Sequence, residues 1–249
     1  MSEFNEAQYR NPAASMDMSV DQGLRSFMLG VYNKMALGLL WSAVLAYVTS
    51  VPPIANMLYV IDPNSGALAG YTGLGWVVAF APLVVILGSS FMMKNPSKTG
   101  ANLLYWGIVT LIGAGLGAWV LLYTSSSLAL TFLVTASAFG ALSLFGYTTK
   151  KDMTGFGSFL IMAVWGLIAG FLVNMFLKSG PMDLILSGAG VLIFSGLIAF
   201  ETQKLKYTYY AIGGDETQLS VATSYGALNL YISFINLFQM LLRFLGDRR

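Results

Sequence analysis

The chain has 249 residues, of which 56% are hydrophobic and 10% are charged, with a net charge of +2 and a mean hydropathy of +0.70. A soluble domain carries about 25% charged residues, so this composition excludes one and is typical of a polytopic membrane protein. There is no cysteine and no histidine, which excludes disulfides, zinc ribbons and Ser-His triads. The small net charge gives no reason to expect a nucleic-acid partner.

The N-terminal segment, residues 1–24, is polar and has neither the apolar stretch nor the cleavage site of a signal peptide. We expect it to form a flexible cytosolic arm. The remainder, residues 25–249, is expected to form one transmembrane domain.

Seven apolar runs follow, at residues 27–50, 73–93, 101–123, 127–147, 155–177, 183–203 and 224–246. Each is long enough to cross about 30 Å of hydrocarbon as a helix. The sequence therefore predicts an all-α polytopic membrane protein with seven transmembrane helices, and a six-helix arrangement with one re-entrant segment stays open. The thinnest break, Tyr123–Ser127, is kept because a merged third and fourth run of about 45 residues is too long for one span.

Basic residues predict the orientation. With a cytosolic N-terminus most of them lie inside, as the positive-inside rule requires. The inside residues are Arg10, Arg25, Lys34, Lys94, Lys98, Lys150, Lys151, Lys204 and Lys206, and the outside ones are Lys178, Arg243, Arg248 and Arg249.

Small and acidic residues add local expectations. The pairs Gly113/Gly117 and Gly166/Gly170 have the four-residue spacing of closely packed membrane helices. Asp152 or Thr154 is expected to cap the fifth helix. Asp183 falls in an outside loop, and the pair Asp215-Glu216 is expected to be solvated.

The sixth and seventh runs carry the strongest functional signal. Glu201 ends the sixth run, and a carboxylate is costly to desolvate there, so it marks a functional site. Gaps of three or four residues place one polar stripe on the seventh helix: Tyr225, Asn229, Ser233, Asn236, Gln239 and Arg243. Alternatively, Glu201 reaches the interface and pairs with Lys204 on its own helix.

Three segments together resemble one known family. They are Thr149-Lys-Lys-Asp152-Met, Phe200-Glu201-Thr-Gln203, and Leu230-Tyr231-Ile-Ser233-Phe-Ile-Asn236-Leu-Phe followed by Leu241-Leu-Arg243-Phe-Leu-Gly246. From about Arg25 onward the chain resembles the Bax inhibitor-1 (transmembrane Bax inhibitor motif) family, and in particular its bacterial YccA-like members.

The resemblance implies six helices around a central last helix, in a bacterial inner membrane. It implies a Ca²⁺ leak gated by proton binding, with the lipid bilayer and calcium as partners, no cofactor and no enzymatic activity. In some members it implies a stress-protective or protease-modulating role. The family's sensor is two aspartates, often joined by a basic residue of the second helix. The resemblance places Glu201 and Ser233 at the aspartate positions and Lys94 at the basic one.

Ser233 cannot ionise, so the two-carboxylate mechanism does not transfer intact. One carboxylate supplies at most two of the about six to eight oxygens that Ca²⁺ prefers, and Ser233, Asn236, backbone carbonyls and water would supply the others. Two hypotheses are open. The first is a pH-sensitive calcium (cation) leak, with Glu201 as gate and Ser233 and Asn236 hydrogen-bonded to it when closed.

The second hypothesis is a non-transporting regulator of a membrane protease or another stress-response partner. Its contact surfaces would be the N-terminal arm and a cytosolic loop containing Tyr207, Tyr209 and Tyr210. An intramembrane enzyme is not expected, because no intramembrane aspartate pair, histidine or metal cluster is present in the sequence.

Overall fold

The computed structural model describes residues 22–63, 66–92 and 96–249, without the side chains of residues 90–92. In chain order the elements are α1 (Gln22–Ser50), α2 (Ile54–Leu58), β1 (Tyr59–Ile61), β2 (Leu68–Tyr71), α3 (Gly73–Met92), α4 (Lys98–Gly115), α5 (Gly117–Leu122), α6 (Ser125–Thr148), α7 (Thr154–Leu177), α8 (Gly180–Ile212) and α9 (Glu216–Leu245). The predicted arm lies outside the described residues except for residues 22–24, which are the start of α1 and not part of an arm.

Six helices of the described chain are long and apolar enough to cross a membrane: α1, α4 continued by α5, α6, α7, α8 and α9. The stretch Gly73–Ser89 of α3 is also apolar, but it is shorter than these six candidate spans. Large apolar side chains point outward, among them Phe176 at 81% and Leu192 at 75% exposed, as expected of helices that face lipid. The all-α membrane protein is confirmed, while the count of seven spans stays a prediction.

The last helix is the most buried of these spans. In the most apolar 18-residue stretch of α9, 50% is buried inside the protein, whereas the corresponding share is 17% in α6 and in α7. Its main neighbours are α1, α4, α6 and α8, whereas α3 packs on α2 and α4, and α7 packs on α8. A central position for the last helix fits these contacts, and a complete ring of six helices around it stays a prediction.

Close packing of α1 against α4 explains one of the two glycine pairs. A Cβ atom at Gly113 would lie 2.7 Å from the Cα of Ser42, and one at Gly117 would lie 2.3 Å from Thr49 Oγ1. Any larger residue would push the helices apart, as the spacing predicted. Of the second pair, in α7, Gly170 is packed against Leu186, whereas a Cβ at Gly166 would lie in open space.

A small hairpin that the sequence reading missed lies between α2 and α3. β1 and β2 are antiparallel, with Tyr59 opposite Tyr71, and the Tyr59 hydroxyl donates to the Ala114 carbonyl at 3.2 Å. The hairpin therefore caps one end of the bundle. We call this the Arg243 end, where α1 and α9 finish and α8 begins, and we call the opposite end the Glu201 end.

Candidate functional site

Glu201 and Ser233 meet where α8 crosses α9. The Ser233 hydroxyl donates to Glu201 Oε2 at 2.8 Å. Ser233 is only 2% exposed and Glu201 is partly buried. The hydrogen bond joins the two positions that the sequence proposed as a sensor, and it is the direct polar link between α8 and α9 at this level of the bundle.

A cavity of about 150 Å³ opens beside this hydrogen bond. Each of the two helices contributes four lining residues, which are Glu201, Lys204, Leu205 and Thr208 of α8 and Ala222, Tyr225, Gly226 and Asn229 of α9. The helices can come this close because a Cβ at Gly226 would lie 2.4 Å from Leu205 Cδ2. The first half of the predicted polar stripe, Tyr225, Asn229 and Ser233, therefore faces α8 and this cavity.

The second half of the stripe behaves differently. The Asn236 amide donates to the Ile232 carbonyl of its own helix at 2.9 Å and not to Glu201. In this structure Asn236 therefore bonds its own helix, and its expected bond to the carboxylate in a closed state stays a prediction. A polar side chain inside a helix has this local choice, because the carbonyl four residues earlier is always within reach.

The two lysine expectations have different outcomes. Lys94 lies outside the described residues, so its place beside Glu201 stays a prediction. Lys204 lines the cavity, but the ion pair found within the described ranges joins Arg243 to Asp183 and does not involve Glu201. An ion pair between Glu201 and Lys204 is therefore not formed. The carboxylate accepts a hydrogen bond from Ser233 instead.

The residues after Glu201 fasten α8 to its other neighbours, which the sequence reading missed. The Gln203 amide donates to the Lys151 carbonyl at 2.7 Å and accepts from the Met153 amide at 2.9 Å. Lys206, which is 3% exposed, donates to the Tyr147 carbonyl in the last turn of α6. A cation is favourable there because the carbonyl groups of a helix C-terminus carry partial negative charge.

The segment that contains Tyr207, Tyr209 and Tyr210 was expected to be a cytosolic loop. α8 continues to Ile212, so Tyr207, Tyr209 and Tyr210 are helical and not in a loop. Tyr209 packs on Phe27 of α1 with ring centroids 5.6 Å apart, whereas Tyr207 is 47% exposed. Of the three tyrosines, Tyr207 is the most exposed.

The start of α9 is anchored by two further polar groups. The Lys34 ammonium of α1 donates to Asn102 Oδ1 at 2.6 Å and to Ser224 Oγ at 2.7 Å, which ties α1, α4 and α9 together. Asp215 caps α9 by accepting from the Gln218 amide at 3.0 Å. This backbone hydrogen bond holds the pKa of Asp215 below its usual value. From the sequence, Lys34 was counted only among the basic residues of the cytosolic side, and Asp215 was expected only to be solvated.

At the Arg243 end the same two helices are joined by charges. Arg243 of α9 pairs with Asp183, which is in the first turn of α8 and not in a loop. The guanidinium also lies 5.5 Å from the Trp119 ring and 4.9 Å from the Phe171 ring. Arg243 thus connects α9 to α5, α7 and α8.

The chemistry open to the Glu201 site is that of one proton or one weakly held cation. The carboxylate accepts a hydrogen bond from a hydroxyl and also lines a cavity that contains further polar side chains. Within the described residues no group of three or more His, Cys, Asp or Glu side chains is arranged to hold a metal ion.

Comparisons with known proteins agree with one another. The family model described as inhibitor of apoptosis-promoting Bax1 matches residues 24–249. An uncharacterized protein of Caulobacter vibrioides is 59% identical over 251 aligned positions, covering 100% of both chains. The inner membrane protein YbhL of Escherichia coli K12 is 38% identical over 242 positions, covering 96% of this chain and 99% of its own. An uncharacterized protein of Rickettsia prowazekii is 42% identical over 238 positions, covering 94% and 95%.

Proposed function

The chain belongs to the Bax inhibitor-1 family, and we propose that it is a pH-sensitive calcium (cation) leak whose gate is the Glu201–Ser233 contact. One observation carries the proposal, namely the hydrogen bond from Ser233 to a carboxylate that also lines a cavity between the two helices. The bond crosses between two helices, so a change in the charge of Glu201 acts directly on the distance between α8 and α9.

Protonation is the proposed switch. A neutral Glu201 is compatible with the dry contact between α8 and α9, since an acid group and a hydroxyl satisfy each other without a net charge. An ionised Glu201 needs water or a cation, because an uncompensated charge at membrane depth is costly. The cavity of about 150 Å³ is where that water would enter, and its growth would part the helices at the Glu201 end.

The proposed transported ion is calcium or another cation that is held weakly. Glu201, Thr208, Tyr225 and Asn229 line the cavity, and Glu201 is the one carboxylate among them, whereas Ca²⁺ prefers about six to eight oxygen ligands. The Lys204 ammonium lines the same cavity and repels a cation. Weak binding suits a conduction path, where an ion must leave as readily as it arrives. The proposal contains no catalytic step and no cofactor.

The proposed topology has seven spans in the inner membrane, with the N-terminus in the cytosol. α3 begins beside the hairpin at the Arg243 end, where Gly75 lies against the Leu58 carbonyl. α4 begins at the Glu201 end, where Asn102 contacts Lys34. α3 and α4 therefore begin at opposite ends of the bundle, which supports α3 as the seventh crossing. The E. coli relative named as an inner membrane protein supports the location.

A second function, a regulator that binds a membrane protease or another stress-response partner, is favoured by the Arg243 end. There the Arg243–Asp183 pair and the C-terminal residues close the bundle, with the Asp247 amide donating to Ser127 Oγ at 3.0 Å. A bundle closed at that end suits a protein that does not conduct. Exposed Tyr207 would belong to its contact surface.

Ion flux in proteoliposomes separates the two functions. We expect Ca²⁺ flux through the purified protein to change with pH, and Glu201→Gln, which cannot ionise, to hold the flux at one level. Glu216→Gln is the matched control, since Glu216 is an exposed acid in the first turn of α9 and should keep the parent's pH response. Flux equal to that of empty liposomes at every pH would overturn the leak and favour the regulator.

A further inference from the structure

A second cavity, of about 720 Å³, lies between α1 and α6. Both helices pack against α9 but leave a cleft between them, and Phe234 of α9 forms its floor. Its walls are mostly apolar side chains, including Leu29, Leu39, Phe132 and Phe139. The volume falls in the range of about 300–1,000 Å³ that is typical of pockets for small ligands.

The cleft has the depth of one membrane leaflet. Along α1 it runs from Arg25 to Leu39, and 14 residues of helix at about 1.5 Å each give a length of about 21 Å. Half of a bilayer of about 40–45 Å, including its headgroups, is about 20–22 Å. The cleft therefore has the length needed to reach from the headgroups at the Glu201 end to the middle of a bilayer.

Polar and charged groups are concentrated at the headgroup end of the cleft. Arg25 is exposed at its mouth, and Tyr147 faces it from the last turn of α6. The Lys206 ammonium lies behind Tyr147, 5.0 Å from the centre of its ring. Arg25 is thus the cation that lines the mouth, Lys206 is buried behind Tyr147, and the walls beyond the mouth are mostly apolar.

We propose that this cleft binds an anionic glycerophospholipid, with its phosphate at Arg25 and one acyl chain along the apolar groove. Arginine suits a phosphate because its planar guanidinium donates two parallel hydrogen bonds. The apolar walls suit an acyl chain, and the depth matches one leaflet. A helix of a partner protein fits the observations less well, since it would not need a cation at one end of a leaflet-deep groove.

Binding at this cleft is independent of the proposed leak, although the two sites are neighbours. Phe234 follows Ser233 in α9, and its ring contacts Phe132 and Phe139 of α6 at 5.6 Å between centroids. An acyl chain in the cleft would rest on this aromatic cluster. The lipid therefore packs against the turn of α9 that presents Ser233 to Glu201.

The test uses the full chain in bilayer nanodiscs that contain equal amounts of phosphatidylglycerol and phosphatidylcholine. Lipids retained after transfer to a mild detergent are counted by native mass spectrometry. Gly140→Leu is the plugging variant, because Gly140 lines the cleft and a Cβ there meets no atom within 4 Å. Gly166→Leu is its control, since a Cβ at Gly166 in α7 also meets open space. Arg25→Gln is matched by Lys98→Gln, at the exposed first position of α4.

We expect the parent to retain phosphatidylglycerol in several-fold excess over phosphatidylcholine. Gly140→Leu should lose most of the retained lipid, Arg25→Gln should lose the preference for phosphatidylglycerol, and both controls should match the parent. Retention in the ratio of the bilayer, or retention that Gly140→Leu leaves unchanged, would overturn the lipid site. Lipid retention tests the lipid site and ion flux tests the leak, so either proposal can be overturned without the other.

Discussion

The two ends of the α8–α9 pair hold the same helices together by different means. At the Arg243 end an ion pair between Arg243 and Asp183 is enclosed by two aromatic rings. At the Glu201 end a hydrogen bond from Ser233 lies beside a cavity that has polar and apolar lining residues. The charge at the Arg243 end has a fixed counter-charge, whereas the carboxylate at the Glu201 end has a neutral partner.

The C-terminal residues strengthen this contrast. The Thr124 amide donates to the Asp247 carbonyl at 3.1 Å, and the Arg249 amide donates to the Leu122 carbonyl at 3.0 Å. The chain after α9 is thereby bonded to the α5–α6 linker at the Arg243 end. The difference between the ends indicates a clamp at Arg243 and an adjustable contact at Glu201, where a proton changes the balance of charge.

The largest effect on stability is expected at the clamp. Arg243→Met removes the ion pair and the aromatic contacts and leaves Asp183 without its partner. Fully buried pairs lose about 3–5 kcal/mol when broken, and because both side chains are about a quarter exposed we expect a loss of about 2 kcal/mol. Thermal unfolding in mild detergent measures it, with the exposed Arg249→Met as the control. Equal melting temperatures for the two variants would show that Arg243 is not a clamp.

A smaller effect is expected at the adjustable contact. Ser233→Ala removes the hydrogen bond to Glu201, which should cost about 1 kcal/mol of stability. It should also raise the cation leak several-fold at low pH, where the contact is expected to be closed. Asn236→Ala is the matched control because Asn236 bonds its own helix and not Glu201. A leak that rises equally in both variants would place the gate elsewhere on α9.

The smallest effect is expected at the α9 cap. The folded pKa of Asp215 is lowered, so the cap stabilises the protein above the unfolded pKa of about 3.9, and this contribution is lost as pH falls through the lower folded value. The melting temperature of Asp215→Asn should therefore fall less than that of the parent between about pH 5 and about pH 3. Glu216→Gln serves as the control. Parallel curves for the parent and Asp215→Asn would remove the cap from the account.

The apolar helices and the central carboxylate were predictable because each leaves a local signal. Long apolar runs mark the spans, including the break at Tyr123–Ser127, where Thr124 accepts from the Ser127 amide and caps α6. Glu201 is a charge in apolar surroundings, and Ser233 belongs to a stripe with helical spacing. The hairpin was missed although Tyr59-Val-Ile and Leu68-Ala-Gly-Tyr71 flank a Pro- and Gly-containing turn, which is a recognised hairpin signal.

The partners of polar residues were not predictable, because they depend on distant segments. Lys206 was counted as an inside charge, yet it is buried against a carbonyl 59 residues away. Arg243 and Asp183 were assigned to separate outside segments and form one ion pair. Asn236 has the spacing of a site residue, but helical spacing does not decide between a neighbouring helix and the carbonyl of its own.

The most direct test of the central claim is to lock each end in turn. The chain has no cysteine, so introduced pairs have no background. Leu205→Cys with Gly226→Cys joins α8 to α9 beside the cavity, and Gly190→Cys with Met240→Cys joins them toward the Arg243 end, since each glycine lies within 3 Å of its partner's side chain when a Cβ is added. Ca²⁺ flux in proteoliposomes is compared before and after oxidation.

We expect oxidation of the first pair to abolish the pH-dependent flux and reduction to restore it. Oxidation of the second pair should leave the flux unchanged, because that end is already held by Arg243. Flux that persists with the Glu201 end locked, or that stops only when the Arg243 end is locked, would contradict a gate at Glu201.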